Sequence, residues 1–322
     1  MPNPNVSQLL TTTLDNYKPE IISNILNNHP LLNRLQAKGN IIKASGGATF
    51  QEKISYASNG TVQAQSEYDT FNTTPQDVLS TATFAQKIIT GTMTMTDLEM
   101  KQNSGKEAFI NLAEAKKKVL IESLKNYLGS QIYADGTGTG GKEIGGLQLL
   151  IADDPTTGTV GAINRANYSV WRNKLVDFSV DTPGGSGTAS SSNIQSAFNL
   201  MWTRCQAQAG ELPDLIAADS VYFGYFESSL QTVQRITDPA IGALGFSSYK
   251  YKNADVFYDP ECPASHAYFI NTNHIFLKYL GKDLLEVGET MRPVNQNAYV
   301  TPIVFTGNMT IDNARVHGVM HA

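Results

Sequence analysis

The chain of 322 residues carries little charge: Asp, Glu, Lys and Arg make up 16% of it, against roughly a quarter in an ordinary soluble domain. Its formal net charge is −5, so it lacks the surplus of Lys and Arg with which a basic groove neutralises nucleic-acid phosphates. A container around nucleic acid stays compatible with this balance, because its inner wall must not hold the cargo tightly. The low charge, together with 14 Tyr and 13 Phe, is typical of a protein that covers much of its surface with partners.

Cysteine and long apolar runs are also scarce. Cys205 and Cys262 are far apart and form no metal-ligand spacing, so the sequence predicts two buried free thiols, with a disulfide as the alternative. No window of about 18 apolar residues exists, and the N-terminal residues lack a basic region followed by an apolar run. We therefore expect no membrane-spanning segment, no secretory signal and a soluble, cytoplasmic chain.

Motifs that carry chemistry are missing too. Residues 136–141 match a Gly-x-Gly-x-x-Gly pattern, but a dinucleotide site needs a strand before it and a helix after it, and here a helix precedes it. Asp153 and Asp154 are followed by Pro155, which favours a turn in which Asp side chains cap backbone amides. The five His residues form no metal-type cluster and flank no nucleophile motif. We expect no enzymatic activity, no cofactor and no metal.

From Phe50 onward the apolar pattern has a period of two, which predicts an extended β-hairpin. Asn59 and Gly60 fit a two-residue hairpin turn, because both central residues of such a turn need positive φ. The apolar positions of the two arms are Phe50, Ile54, Tyr56, Val62, Ala64, Val78, Ala82 and Phe84. The other face is Thr, Ser and Gln. Such a ribbon is marginal by itself and exposes unpaired edges, so it needs a partner surface, most simply another copy of the chain.

A long helix is predicted over residues 104–134. Residues 104–107 (Ser-Gly-Lys-Glu) form a capping box, and Gly136 fits a C-terminal stop. An apolar stripe at helical spacing follows the box: Phe109, Leu112, Ala113, Val119, Leu120, Leu124, Tyr127, Leu128 and Ile132. We expect an outward-facing set of Lys116, Lys117, Lys118, Glu122 and Lys125. The helix would be about 45 Å long, more than a compact domain of this size needs.

The other segments predict a mixed α+β protein. Residues 193–209 and 220–236 are predicted as amphipathic helices, and residues 214–219 as a short buried strand. Further strands are expected at 254–258, 267–270, 275–279 and 299–319, with a mobile surface loop at 181–193. Residues 1–40 are polar with scattered apolar clusters. They are either an arm that orders against neighbours or a packed N-terminal helix.

Four stretches carry a resemblance to a known family. They are Tyr68-Asp-Thr-Phe-Asn-Thr-Thr-Pro-Gln-Asp77, Ala82-Thr-Phe-Ala-Gln-Lys87, Gly145-Gly-Leu-Gln-Leu-Leu-Ile-Ala-Asp-Asp-Pro155 and Ile163-Asn-Arg-Ala-Asn-Tyr-Ser-Val-Trp-Arg-Asn173. In this middle half the chain resembles the major capsid protein of tailed double-stranded DNA bacteriophages, which has the Hong Kong 97-type fold. The remainder agrees in the order of its elements.

The resemblance implies a domain plan. Residues 1–40 would be the N-terminal arm, 41–92 the extended hairpin called the E-loop, and 93–149 a P domain with the spine helix at 104–134. Residues 150–285 would form most of the A domain, and 286–322 would return to the P domain.

The resemblance also implies a function, namely self-assembly of hexamers and pentamers into an icosahedral capsid that encloses DNA without reading its sequence. The chain would belong to the virion and assemble in the host cytoplasm. The hairpin would lie across the spine helix of a neighbouring subunit. The contacts expected between subunits are Phe50, Ile54, Tyr56, Asn59, Gly60, Val62, Tyr68, Phe71, Phe84, Lys116, Lys117 and Lys118.

Two departures from the family pattern matter. Only about 40 residues precede the hairpin, so we expect either a separate scaffolding protein or none, rather than a built-in scaffold, and a portal as a further partner. The hairpin tip, residues 57–65, contains no Lys, while Lys53 and Lys87 lie in its arms. We therefore expect an uncrosslinked shell that non-covalent contacts or a decoration protein strengthen.

The sequence leaves two alternatives to the phage capsid. An encapsulin-like nanocompartment shares the fold but packages an enzyme. A soluble hydrolase with a β-rich accessory region would need a nucleophile and a base, and the sequence shows neither.

Overall fold

The structure is a computed structural model that describes residues 29–102, 112–209, 211–230 and 248–322. The capping box, Phe109, the first 28 residues and the end of the predicted helix at 220–236 lie outside the described residues. Within the described part, no helix is long and apolar enough to cross a membrane.

The described part of the chain contains both helices and strands, as expected for an α+β protein. The helices are α1 (Pro30–Ala37), α2 (Asp97–Gln102), α3 (Leu112–Gln131), α4 (Gly138–Gly141), α5 (Leu147–Leu150), α6 (Phe178–Asp181), α7 (Ile194–Ala209) and α8 (Ser220–Leu230). The strands up to the middle of the chain are β1 (Ile41–Lys43), β2 (Thr49–Ser55), β3 (Leu79–Ala85), β4 (Lys87–Thr96), β5 (Thr159–Val160), β6 (Ile163–Asn164) and β7 (Lys174–Asp177). The later strands are β8 (Leu215–Ala218), β9 (Ser248–Tyr251), β10 (Ala254–Tyr258), β11 (His266–Ile270), β12 (Ile275–Leu280), β13 (Glu286–Val287), β14 (Ala298–Ile311) and β15 (Gly318–His321). Single 3₁₀ turns lie at Ser169–Trp171, Pro183–Gly185, Thr272–His274 and Ala314–Val316.

The chain divides into two compact units that are each built from separate segments. Of the described residues, the smaller unit contains 88–102, 112–130 and 280–306, and the larger unit contains the rest. The domain boundaries expected from the sequence stay predictions.

The larger unit has its core on a six-stranded mixed sheet with the order β7-β15-β11-β8-β10-β9. The central strand β8 is buried at every position, as a short apolar run between two neighbours should be. Helices α7 and α8 cover the sheet, and Phe198 of α7 lies 4.9 Å from Phe226 and 5.2 Å from Phe269, measured between ring centroids. The predictions of a helix at 193–209 and a buried strand at 214–219 are confirmed.

Helix α1 packs within the larger unit. Leu31 and Leu35 are buried, and three carboxylates hold the polar side of the helix. Asp259 accepts a hydrogen bond from the Leu31 amide at 3.3 Å, Asp255 binds Arg34 at 3.3 Å, and Asp214 binds Lys38 at 3.2 Å. Residues 30–37 of the predicted N-terminal arm thus form a packed helix. Residues 1–28 lie outside the described residues, so the choice between an arm and a packed helix stays open for them.

Both cysteines are free and buried, which confirms the predicted pair of thiols. Burial raises the pKa of the Cys205 thiol to about 12, so the reactive thiolate is scarce at neutral pH.

The smaller unit combines α3 with β4, β13 and β14. Strands β4 and β13 both pair with β14. Strand β4 lies close against α3 at Gly91, where a Cβ atom would come within 2.8 Å of the Leu120 side chain and 3.3 Å of Leu124. A larger residue at position 91 would require the Leu120 side chain to shift.

The outer face of α3 differs from the prediction in two places. Glu122 is buried, not outward, as is Gly129, seven residues further along the same side of the helix, whereas Val119 and Tyr127 of the predicted apolar stripe are exposed. The buried face is therefore displaced from the predicted stripe. Lys116 is partly buried and pairs with the buried Glu99 at 3.1 Å. Lys117 and Lys118 are exposed, as expected.

Candidate assembly interface

The predicted hairpin exists, but its return arm begins later than predicted: Ala82 and Phe84 lie in the paired strand β3, as expected, whereas Val62 and Ala64 lie in no strand. Strand β2 pairs with β3, with Phe50 opposite Phe84 and Ile54 opposite Ser80, and residues 56–78 form a long connection between them. The predicted two-residue turn at Asn59-Gly60 is wrong. The Asn59 side chain accepts hydrogen bonds from the amide and hydroxyl of Thr61 at 2.9 and 2.7 Å, and this local turn competes with strand pairing.

One face of the hairpin is anchored on its own chain by a buried ion pair. Glu52 lies between Phe50 and Ile54 on the buried face of β2. Its carboxylate binds Lys278 at 2.6 Å and accepts a hydrogen bond from Thr310 at 2.6 Å. These contacts hold the base of the hairpin against strand β12 and the end of β14.

The hairpin is also anchored at Gly161, which lies between β5 and β6. Its carbonyl accepts a hydrogen bond from the Thr83 amide at 2.9 Å. The φ of Gly161 is +58°, and a Cβ there would come within 2.8 Å of the Ala82 Cβ. Only glycine fits both the conformation and the contact.

The connection 56–78 leaves its large apolar side chains in solvent. Val62 is 84% exposed, Tyr68 92%, Phe71 81% and Leu79, at the start of β3, 70%. Tyr68 lies in a turn that the Asp69 side chain closes by accepting a hydrogen bond from the Ser66 amide at 2.7 Å. Some backbone groups of the loop thus form hydrogen bonds within the loop itself. Its exposed apolar side chains make no such contacts and are available to a partner.

The predicted contact residues separate into two groups. Phe50, Ile54 and Phe84 are buried within their own chain, and Tyr56 packs edge-on against Tyr168 with ring centroids 6.5 Å apart. Lys116 is partly buried and paired with Glu99. The exposed group consists of Asn59, Gly60, Val62, Tyr68, Phe71, Lys117 and Lys118. The predicted contacts did not include Leu79, because it lies on the face of β3 opposite Ala82 and Phe84, which the sequence predicted to be polar.

The loop 150–173, whose sequence carries much of the resemblance, is held together by buried side chains. The Trp171 indole donates to the Val160 carbonyl at 2.9 Å. Asn173 accepts from the Ala152 amide at 3.2 Å and donates to its carbonyl at 2.9 Å. Arg165 is fully buried and donates to the Leu150 carbonyl. Burial lowers the pKa of Arg165 to about 10.

The two adjacent acids behave differently. Asp154 caps the Thr156 amide at 2.9 Å, which confirms the predicted turn. Asp153 binds His266 at 3.1 Å, a contact that the sequence did not indicate. Across the described residues, no group of three His, Cys, Asp or Glu is placed to hold a metal ion.

A cleft of about 450 Å³ runs beside β2. One wall is the continuous run from Lys53 to Ser58, and the other includes His274, Asp312 and Arg315. We call it the edge cleft.

His274 joins two carboxylates next to this cleft. Its Nδ1 lies 2.7 Å from Asp312 Oδ1 and its Nε2 lies 2.6 Å from Glu211 Oε2. Both ring nitrogens can donate only in the protonated imidazole. The hydrogen bond to Asp312, assisted by Glu211, raises the pKa of His274 to about 9.

The His274 ion cluster predicts a specific pH dependence. Because the folded pKa of about 9 lies above the ordinary value of 6.5, the stabilisation is complete below about pH 6.5 and is lost as the pH rises through 9. We expect His274→Gln to lower the urea midpoint at pH 7 and to differ much less from the natural chain at pH 10. A difference that stays constant from pH 7 to 10 would contradict this assignment.

The chain is similar to known proteins in structure and not in sequence. No sequence profile of a known family matches the chain, and no curated protein sequence matches it. A cyanophage A-1(L) capsid subunit superposes with a TM-score of 0.69 at 12% identity, covering 94% of this chain and 95% of its own. The capsid protein of Myoviridae phage XM1 gives 0.57 at 12% identity, covering 97% of both chains. The chain has the Hong Kong 97-type capsid fold.

An encapsulin has a similar fold. The SrpI encapsulin of Synechococcus elongatus PCC 7942 superposes with a TM-score of 0.56 at 8% identity and covers the whole of this chain and 95% of its own. The Hong Kong 97-type fold is therefore confirmed, while the choice between a phage capsid and an encapsulin depends on other features.

Proposed function

We propose that this chain is the major capsid protein of a tailed phage, a structural rather than catalytic protein. It assembles as hexamers and pentamers into an icosahedral head that encloses double-stranded DNA. The observation that carries the proposal is the anchored hairpin with four large apolar side chains in solvent, Val62, Tyr68, Phe71 and Leu79. A soluble monomer has little reason to hold such a patch outward.

Covering these four side chains at a subunit interface would favour assembly. Burying one large apolar side chain contributes about 1.5–3 kcal/mol, and every copy in a closed shell both offers and receives the loop. Non-covalent contacts then suffice. The tip stays free of Lys, and of the two arm lysines, Lys87 donates to the Gly141 carbonyl of its own chain.

We place the receiving surface on α3 of a neighbouring copy, as the spine helix of its P domain. There Lys117 and Lys118 are exposed beside Val119, and they complement Glu67 and Asp69 next to Tyr68. The direct contacts would be Tyr56, Asn59, Gly60, Val62, Tyr68, Phe71, Lys117 and Lys118. Phe50, Ile54, Phe84 and Lys116 would act indirectly, by holding the loop and the helix in place.

A capsid role also implies further protein partners. A portal and a separate scaffolding protein would assist assembly in the host cytoplasm, and a decoration protein would strengthen the virion. An encapsulin-like shell is the second candidate, because the encapsulin SrpI shares the fold over the whole chain.

Electron microscopy of the purified chain, alone and with a candidate scaffolding protein, tests the proposal. We expect closed shells of uniform size. Co-expression with the neighbouring genes then distinguishes the candidates, since a capsid fills with DNA and an encapsulin fills with a protein. A monodisperse monomer that forms no shell under any of these conditions would contradict both candidates.

A further inference from the structure

A further cavity of about 440 Å³ lies between the hairpin and the loop 150–173. Its walls come from the end of β2, from the start of β3 and from residues 162–171 of the loop, all within the larger unit. Ile54, Ile163 and Val170 make part of the lining apolar. Pockets for small organic molecules have volumes of roughly 300–1,000 Å³, so the cavity has the size for a small ligand. We call it the tyrosine pocket, after Tyr56 and Tyr168 in its lining.

The two tyrosine rings of this pocket meet at nearly a right angle. The ring centroids of Tyr56 and Tyr168 are 6.5 Å apart and their planes differ by 75°. Tyr168 is 49% exposed, so its ring is accessible from solvent. The negative face of an aromatic ring attracts a cation, and several rings around one site form the aromatic cages that bind organic ammonium groups. The two tyrosines supply part of such a cage.

The tyrosine pocket has one negative charge and no positive charge. Asp77 is the single carboxylate among its twelve lining residues, and none of the twelve is Lys, Arg or His. Asp77 is exposed and forms no ion pair with any residue that the structure describes. Desolvation, then the Asp77 carboxylate and the nearby Tyr168, raise the pKa of the Tyr56 hydroxyl. The carboxylate and the two rings are therefore close together, and their combined field favours a cation.

The lining suits an organic cation better than a metal ion. Ca²⁺ and Mg²⁺ require about six oxygen ligands, and the pocket offers one carboxylate. An alkyl ammonium group has three N–H donors on an apolar stem. Asp77 and the Ser80 hydroxyl are acceptors in the lining, while Ile163 and Val170 provide apolar surface for methylene groups.

We propose that the tyrosine pocket binds a small linear alkyl amine. The ammonium group lies between Asp77 and the rings of Tyr56 and Tyr168, and the methylene groups contact Ile163 and Val170. The site is formed within the larger unit of one protomer, so this inference goes beyond the proposed shell and does not depend on it.

Isothermal titration calorimetry of free protomers with the diamine putrescine tests this, with butanediol as a neutral probe of the same length. We expect butanediol to bind at least about ten-fold more weakly, because it lacks the charge that Asp77 attracts. Asp77→Asn should weaken putrescine binding at least about ten-fold for the same reason. The matched control is Glu67→Gln, which removes an exposed carboxylate of the same connection outside the pocket and should keep the natural affinity.

Two variants of Tyr168 test the aromatic contribution. Tyr168→Leu keeps an apolar side chain but loses the ring face, so it should weaken putrescine binding about five-fold. Tyr168→Phe keeps the ring and should bind as the natural chain does. Urea unfolding of each free variant verifies that it is folded.

The outcomes are distinct from those of the assembly experiment. Equal affinities for butanediol and putrescine, or an unchanged affinity in Asp77→Asn, would overturn the ammonium site. Tighter binding of lysine blocked at both backbone ends would overturn the free amine as the ligand, since the site would then take a protein side chain. Because the titration uses free protomers, absence of binding leaves the capsid role standing, and absence of shells leaves this inference standing.

Discussion

Replacing both Tyr68 and Phe71 by Ser is expected to abolish shell assembly at concentrations where the natural chain assembles fully, while the protomer stays folded. Both side chains are more than four-fifths exposed in the protomer, so their loss removes nothing from its core. In the shell they would be buried, and losing two such contacts, at about 1.5 kcal/mol each, raises the concentration needed for assembly about a hundred-fold. Light scattering against protein concentration, with electron microscopy of the products, measures the effect.

The matched control is the double variant Tyr68→Phe, Phe71→Leu, which keeps the apolar area in the same loop. It should assemble within a few-fold of the natural concentration. Urea unfolding of the Ser variant should match that of the natural protomer, since the loop contributes no core contacts. Normal assembly of the Ser variant would place the subunit interface elsewhere.

The second large effect is expected at the base of the hairpin. Glu52→Leu should destabilise the larger unit by about 3 kcal/mol, because it leaves the mostly buried Lys278 ammonium without its counter-charge. It also leaves the Thr310 hydroxyl without its acceptor. The urea midpoint of the protomer reports the loss, and we expect assembly to weaken too, since the loop is no longer held in place.

A double-mutant cycle isolates the ion pair. Glu52→Leu combined with Lys278→Met removes both charges and replaces them with apolar side chains, which is often close to neutral for a buried pair. We expect the double variant to recover most of the stability that the single change loses. If the stability losses of the two single variants simply add, the ion pair does not hold the hairpin in place. The apolar contacts of Phe50 and Ile54 would then hold it.

Local patterns predicted the regular elements well and their partners less well. Apolar periodicity predicted helix α7 and strand β8 correctly, because the buried residues of each element lie close together in the sequence. For the hairpin, the alternation ran from Val62 and Ala64 on to Val78, Ala82 and Phe84, and only the later part pairs with β2. Strand β3 is held by the distant Gly161, whose carbonyl accepts a hydrogen bond from the Thr83 amide only in the folded chain.

The candidate interface shows the same limit. Composition and patterning predicted a surplus of apolar surface, and resemblance indicated where a neighbour would use it. Neither could tell that Phe50 and Phe84 belong to the chain's own core. Nor could they tell that Glu122 is buried, or that Lys116 is engaged by Glu99.

Taken alone, the sequence determined that the chain is a low-charge α+β protein with no recognisable catalytic motif and more apolar surface than its elements can cover. The tertiary structure decided where that surface lies. Phe50 and Phe71 are chemically identical, yet one is 3% exposed and the other 81%. The difference arises because burial depends on contacts with residues far along the chain, and those contacts exist only once the hairpin has closed on Lys278, Thr310 and Gly161.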